Sequence, residues 1–135
     1  MRPEISQGVI FTYTDDLEET SGFFRETMEL DLIMDQGSCH IFRLSETSYL
    51  GVCCLPDRPT EKSAVTITIV SNDVDGWYKF LTAKGVEYIN KPSHSPSFNV
   101  YSSLFMSPHG YRIEIQNFDD PDWYTRIAKG VGDKL

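Results

Sequence analysis

One pattern occurs twice in this chain. Asp15-Asp16-Leu17 opens a helical stretch that runs to Phe23 and Phe24, and Asn72-Asp73-Val74 opens a second that runs to Phe80 and Leu81. Asp16 and Asp73 stand 57 residues apart, as do Phe23 and Phe80. Each copy follows an alternating strand at the same offset, Val9-Ile10-Phe11-Thr12-Tyr13 or Thr66-Ile67-Thr68-Ile69-Val70. A solenoid stacks at least about three repeats to bury its core. A long period present twice calls instead for two half-domains, with a ligand cleft expected where they meet.

The bulk numbers narrow the partners. With 135 residues, 40% hydrophobic and 24% charged, the chain has the make-up of one globular domain with a core of its own. No apolar run approaches the roughly 20 residues that cross a bilayer, so no membrane partner is expected. Met1-Arg2-Pro3-Glu4 lacks the basic-then-apolar pattern of a leader, which makes a cytoplasmic location the expectation. A formal net charge of −8 argues against nucleic acid, whose phosphates need clustered Lys and Arg, and favours a cationic small molecule. Cys39, Cys53 and Cys54 lack Cys-x-x-Cys spacing and are expected to be reduced, mostly buried thiols.

Read along the chain, the first half is a strand over 5–13, a helix with Asp15 as N-cap and Glu18 as its capping-box partner, and strands over 30–34, 39–44 and 48–55. Leu17, Ser21, Phe24 and Met28 form the helix stripe that should face a sheet. Pro56 to Lys62 is a polar linker. The second half restarts with a strand over 65–70 and a helix capped by Asn72 with Asp75, and its stripe is Val74, Trp77 or Tyr78, and Leu81. Gly85 stands at the left-handed exit position. Strands near 86–90, 99–106 and 111–117 follow, with a loop over Lys91–Ser97 and a tight turn at Ser107-Pro108-His109-Gly110. Asp120-Pro121 opens a last short helix. The expected fold is thus α+β: two tandem βαβββ modules (5–55 and 63–118, linked by 56–62) in one domain. They should form a curved eight-stranded mixed sheet around a cleft, with helices outside and a C-terminal helix over 120–130.

These modules resemble the vicinal oxygen chelate superfamily, which includes glyoxalase I, bleomycin- and fosfomycin-resistance proteins and extradiol dioxygenases. The residues that carry the resemblance are Asp16-Leu17 with Phe23-Phe24, Asp73-Val74 with the Ala83-Lys84-Gly85-Val86 exit, and the closing hairpin Phe105 to Ile115. Two departures stand out: Ser107 where aspartate usually precedes the proline, and Glu29 where the first helix usually ends in glycine. The resemblance implies a divalent metal held from the first and last strands of each half, at places that fall here on Val9, about Val52, Thr66 and Glu114. Only Glu114 among them ligates a metal well, so no cofactor is expected. A metal site would need Glu114 joined by Gln7 or His40. The resemblance also implies a homodimer.

Two readings of the closing strand stay open. Arg112, Glu114 and Gln116 share one strand face. In an apolar cleft Glu114 would be a general acid/base with a raised pKa, and His40 a second candidate. Alternatively, a Glu114–Arg112 ion pair only shapes the pocket. The expected ligand-binding residues are Val9, Phe11, Tyr13, Val52, Thr66, Thr68, Tyr101, Arg112 and Gln116. Aromatic side chains are 13% of the chain, which points to stacking on a flat, cationic molecule. The expected function is that of a glyoxalase/bleomycin-resistance-like protein that binds a small organic molecule at a degenerate metal site. The alternatives are a metal-dependent lyase, isomerase or dioxygenase using Glu114, and a partner-binding module without a ligand cavity.

Overall fold

A computed structural model describes residues 2–3, 5–62 and 65–123. The element order is two βαβββ modules. The first holds β1 (Gly8–Tyr13), α1 (Leu17–Gly22) with a π-helical extension (Phe23–Thr27), β2 (Asp31–Asp35), β3 (Cys39–Arg43) and β4 (Ser48–Cys53). The second holds β5 (Thr66–Val70), α2 (Val74–Ala83), β6 (Tyr88–Ser95), β7 (Val100–Met106) and β8 (Arg112–Phe118). The eight strands form two four-stranded sheets with the same strand plan, β1-β4-β3-β2 and β5-β8-β7-β6. In the first sheet β1 runs parallel to β4, and the other neighbours are antiparallel. Among the described residues two compact units emerge: those up to Ile67 together with Met106–Arg112, and Thr68–Phe105 together with those from Ile113 to Trp123.

Both helices start one residue later than expected. Asp16, not Asp15, accepts from the Glu19 backbone N–H at 3.0 Å, and Asp73, not Asn72, accepts from that of Gly76 at 2.9 Å. Asp15 is instead ion-paired with Arg58 of the linker. A hydroxyl two residues earlier completes each entry: Thr14 Oγ1 accepts from the Asp16 N–H at 3.0 Å, and Ser71 Oγ from the Asp73 N–H at 3.1 Å. The duplicated sequence therefore encodes a duplicated local hydrogen-bond pattern, which satisfies donors that a helix start leaves free.

In the first module α1 covers one sheet face. Phe24 and Met28 are each 1% exposed, and the Phe24 ring meets the Phe42 ring at 6.0 Å. Leu50 and Val52 are buried with them. The π-helical stretch closes with the Met28 N–H on the Phe23 carbonyl at 3.0 Å, and Glu29 then takes a left-handed φ of 56°. In the second module Leu81 and Val74 of α2 are buried, as are Ile67, Ile113 and Ile115 of the sheet. Gly85 has a φ of 91°, the left-handed exit its position called for.

Two local expectations are corrected. Lys91–Ser97 is not a loop through most of its length, because β6 continues to Ser95. Pro92 is tolerated there since β6 lies at a sheet edge and its pairing with β7 is irregular between Asn90 and Ser93. Nor are the cysteines all thiols: Cys39 and Cys53, opposite each other on β3 and β4, are joined as a disulfide, and Cys54 alone is free. The register of the expected 39–44 and 48–55 hairpin already sets these two cysteines opposite each other. A helical turn opens at Pro121, and the rest of the expected C-terminal helix lies outside the described residues.

Candidate functional site

Each sheet has a helix-free face, and strand register decides which side chains reach it. In the first sheet Val9 pairs with Tyr49, Phe11 with Gly51 and Tyr13 with Cys53. Paired residues point the same way, so these six share a face, joined from β3 by Cys39, Ile41 and Arg43. Phe11 lies across Gly51. A Cβ built at position 51 would come within 2.6 Å of Phe11 Cε1 and 3.2 Å of Cγ, so only glycine admits the ring there. Phe11 as a residue is nonetheless 45% exposed.

Tyr49 anchors the neighbouring row. Its hydroxyl accepts from Gln7 Nε2 at 3.0 Å and from an Arg43 guanidinium nitrogen at 3.3 Å, and donates to the Glu46 carbonyl at 3.3 Å. The Arg43 guanidinium also stands over the Tyr49 ring, 5.3 Å from its centroid. Gln7 is thus spent on Tyr49. In the row on the other side of Phe11 the Tyr13 N–H donates to the Tyr111 hydroxyl at 3.1 Å, and burial raises the pKa of that phenol. Lys62 fixes the same turn by donating to the His109 carbonyl at 2.7 Å.

Val52 and His40 are on the opposite face, which corrects the expected placement of Val52 and settles the side that strand β3 gives to His40. They pair with each other across β3 and β4, and Val52 is fully buried. Val52 also pairs with Thr12 rather than with a residue of the Val9 face. His40 Nδ1 lies 2.6 Å from Ser21 Oγ of α1, and its Nε2 lies 3.3 Å from Asp35 Oδ1. This Ser–His–Asp chain has the connectivity of a hydrolase relay, but Ser21 is only 5% exposed, between helix and sheet. His40 therefore serves as a polar strut tying α1 to the β2–β3 hairpin.

In the second sheet Thr68 donates to Glu114 Oε1 at 3.0 Å, which sets β5 and β8 in register on one face. Alternation adds Thr66, Arg112 and Gln116 to it, while Ile67, Ile113 and Ile115 fill the other. Glu114 is thus held by a hydroxyl, and among the described residues no ion pair joins it to Arg112. Tyr101 belongs to the α2 side: its hydroxyl donates to Asp75 Oδ1 at 2.6 Å, a bond that raises its pKa. Tyr88 packs on that side too, against Tyr78 and Phe105. Burial pushes its phenol up to about 12, with Ser103 opposing the rise.

The remaining histidines do not join either face's chemistry. His94 is bonded to Asp119 at 2.7 Å. His109 pairs with Glu19 at 3.3 Å, and with Asp16 these two bring ligand atoms within 4.8 Å of one another. Helix capping by Asp16 and the Glu19–His109 pair account for that exposed group. Sequence reasoning missed Gly51 as the seat of Phe11, although a glycine inside a strand often marks such a close approach.

Duplicated βαβββ modules, each with one helix-covered and one helix-free sheet face, define a vicinal-oxygen-chelate type of protein. The profile of the Glyoxalase/Bleomycin resistance protein/Dioxygenase superfamily matches residues 7–115, and the chain belongs to that family. Similar solved structures share the fold at low identity. A glyoxalase/bleomycin resistance protein/dioxygenase from Nocardioides is 20% identical with a TM-score of 0.71, covering 90% of this chain and 87% of that one. Lactoylglutathione lyase from Agrobacterium tumefaciens is 18% identical with a TM-score of 0.69, over 85% and 95%. TioX from Micromonospora sp. ML1 is 15% identical with a TM-score of 0.69, over 83% and 98%. No curated protein matches the sequence. No helix among the described residues is long and apolar enough to cross a membrane.

Proposed function

We propose that this protein binds a small, planar organic molecule on the helix-free face of its first sheet, as a glyoxalase/bleomycin-resistance-type binder rather than a metal enzyme. The observation that carries the reading is the ring of half-exposed Phe11, seated on Gly51. The absence of a side chain at position 51 leaves room for the ring to lie on the strand, where it offers a face for a flat ligand to stack on. Aromatic stacking contributes about 0.5–1.5 kcal/mol beyond area burial, and a cationic ring adds attraction to the π-face. The net charge of −8 draws cations toward the molecule. Val9 and Ile41 border the platform with apolar surface.

The donors at the family's ligand places do not fit a divalent metal. Val9 has none, and the β4 residues on its face are Tyr49, whose hydroxyl is already bonded, Gly51, and Cys53, whose sulfur is held in the disulfide. Thr66 and Glu114 remain, short of the three protein ligands a catalytic zinc site keeps. No step through a metal is proposed.

The test is a thermal-shift and fluorescence titration with proflavine, a planar tricyclic cation. Binding to the native state should raise the melting temperature. Phe11→Ala should weaken binding about tenfold, in line with the loss of one stacked ring. Gly51→Ala, which displaces the ring while keeping it, should weaken binding too. Unchanged affinity in Phe11→Ala, or no binding of proflavine or of a panel of flat aromatics, would refute the reading.

A further inference from the structure

The disulfide lies on the same face as Phe11. Cys53 pairs with Tyr13 on one side and with Cys39 on the other, so the bridge forms the row next to the Phe11–Gly51 row. We infer that Cys39 and Cys53 form a reversible dithiol–disulfide couple, and that Cys39 is the site at which a small thiol attacks it. This inference stands apart from the proposed ligand and does not depend on it.

Three features support it. First, neither sulfur is needed to hold the strands. The Gln36 N–H donates to the Cys39 carbonyl at 2.8 Å, the Thr14 N–H to the Cys53 carbonyl at 3.0 Å and the Cys54 N–H to the Ser38 carbonyl at 2.9 Å. All are backbone bonds that persist when the bridge opens, so the two thiols stay side by side, ready to re-form it. Second, the two ends differ in access. Cys53 is 2% exposed, whereas Cys39 is half-buried. An incoming thiolate therefore meets the Cys39 sulfur, and Cys53 is the leaving group. Third, Cys54 does not compete. It follows Cys53 on the strand, and its sulfur points to the Asp15 carbonyl at 3.7 Å.

The exchange balances as two displacements. A thiolate RS⁻ attacks Cys39 Sγ, forming the R–S–Cys39 bond and breaking the Cys39–Cys53 bond, and Cys53 leaves as a thiolate that takes a proton from water. A second RS⁻ attacks the sulfur of the bound R group, releasing RSSR and the Cys39 thiolate. Two RSH and one protein disulfide thus become RSSR and one protein dithiol, a two-electron change that RSSR reverses. In the intermediate state the R group occupies the helix-free face next to Tyr13.

The experiment equilibrates the whole protein in glutathione buffers of varied reduced-to-oxidised ratio, alkylates with iodoacetamide and reads the adducts by mass spectrometry. Cys39 and Cys53 should become alkylated together, taking the protein from one label to three across a single transition that depends on the square of reduced glutathione. Cys54→Ser should keep that midpoint. Cys53→Ser should accumulate one glutathione on Cys39, at least tenfold faster than Cys39→Ser accumulates it on Cys53. Three labels in fully oxidised buffer, a bond involving Cys54, or a bridge that no ratio opens without denaturant would each overturn the inference. If either variant fails to fold, the titration of the unmutated protein alone decides it.

Discussion

Phe11 lies over β4 because residue 51 has no side chain, a seat that a glycine inside a strand signals but that the sequence reading passed over. Alternation grouped Val9, Phe11 and Tyr13. It failed at Val52 and Tyr101 and left the face of His40 open, because strands β3, β4 and β7 carry apolar or aromatic residues on both faces. There a one-residue uncertainty in register turns every side chain over. Tyr88 supports a prediction that depends on pH. Burial holds its phenol proton until about pH 12, while in the unfolded chain it leaves near the ordinary tyrosine value of 10.0. The native state therefore binds more protons between those values, and its stability falls as pH rises from about 10 toward 12. Urea melts across that range should show a shallower alkaline decline for Tyr88→Phe than for the unmutated protein, and equal slopes would contradict the assignment.

At the scale of elements, the helix entries were legible as a motif and misplaced by one residue. Asp15-Asp16 and Asn72-Asp73 each offer two candidate caps, and sequence alone does not show that Arg58 engages Asp15. The Lys91–Ser97 segment reads as loop because proline and polar residues dominate it, but an irregular edge strand accepts both. The exit of the first helix carries Glu29 at a φ of 56°, a backbone conformation that disfavours a side chain. Glu29→Gly should therefore stabilise the protein by about 1 kcal/mol. Urea denaturation checks this, and a lower midpoint for the variant would show that the Glu29 side chain contributes more than its backbone conformation costs.

For the whole molecule, the 57-residue offset was the strongest signal in the chain, since it gave module count and element order at once. The disulfide was missed although strands over 39–44 and 48–55, closed by a three-residue turn, set Cys39 opposite Cys53; the absence of Cys-x-x-Cys spacing drew attention away from register. Ligand identity has no sequence signal of its own, since a face is built from side chains of several strands. A homodimer is proposed as well. The edge strand β1 leaves Val9, Ile10 and Phe11 42%, 47% and 45% exposed, apolar surface on both of its sides. Light scattering at micromolar concentration should give twice the 15.4 kDa chain mass, and a monomer mass would refute the dimer. The most direct test of the central claim is a proflavine titration of chelator-treated protein, followed by backbone amide shifts in NMR. The account predicts saturable shifts centred on Phe11, Gly51 and Tyr13 with no metal added. Shifts that appear only after a divalent metal is restored, or that bypass those three residues, would contradict it.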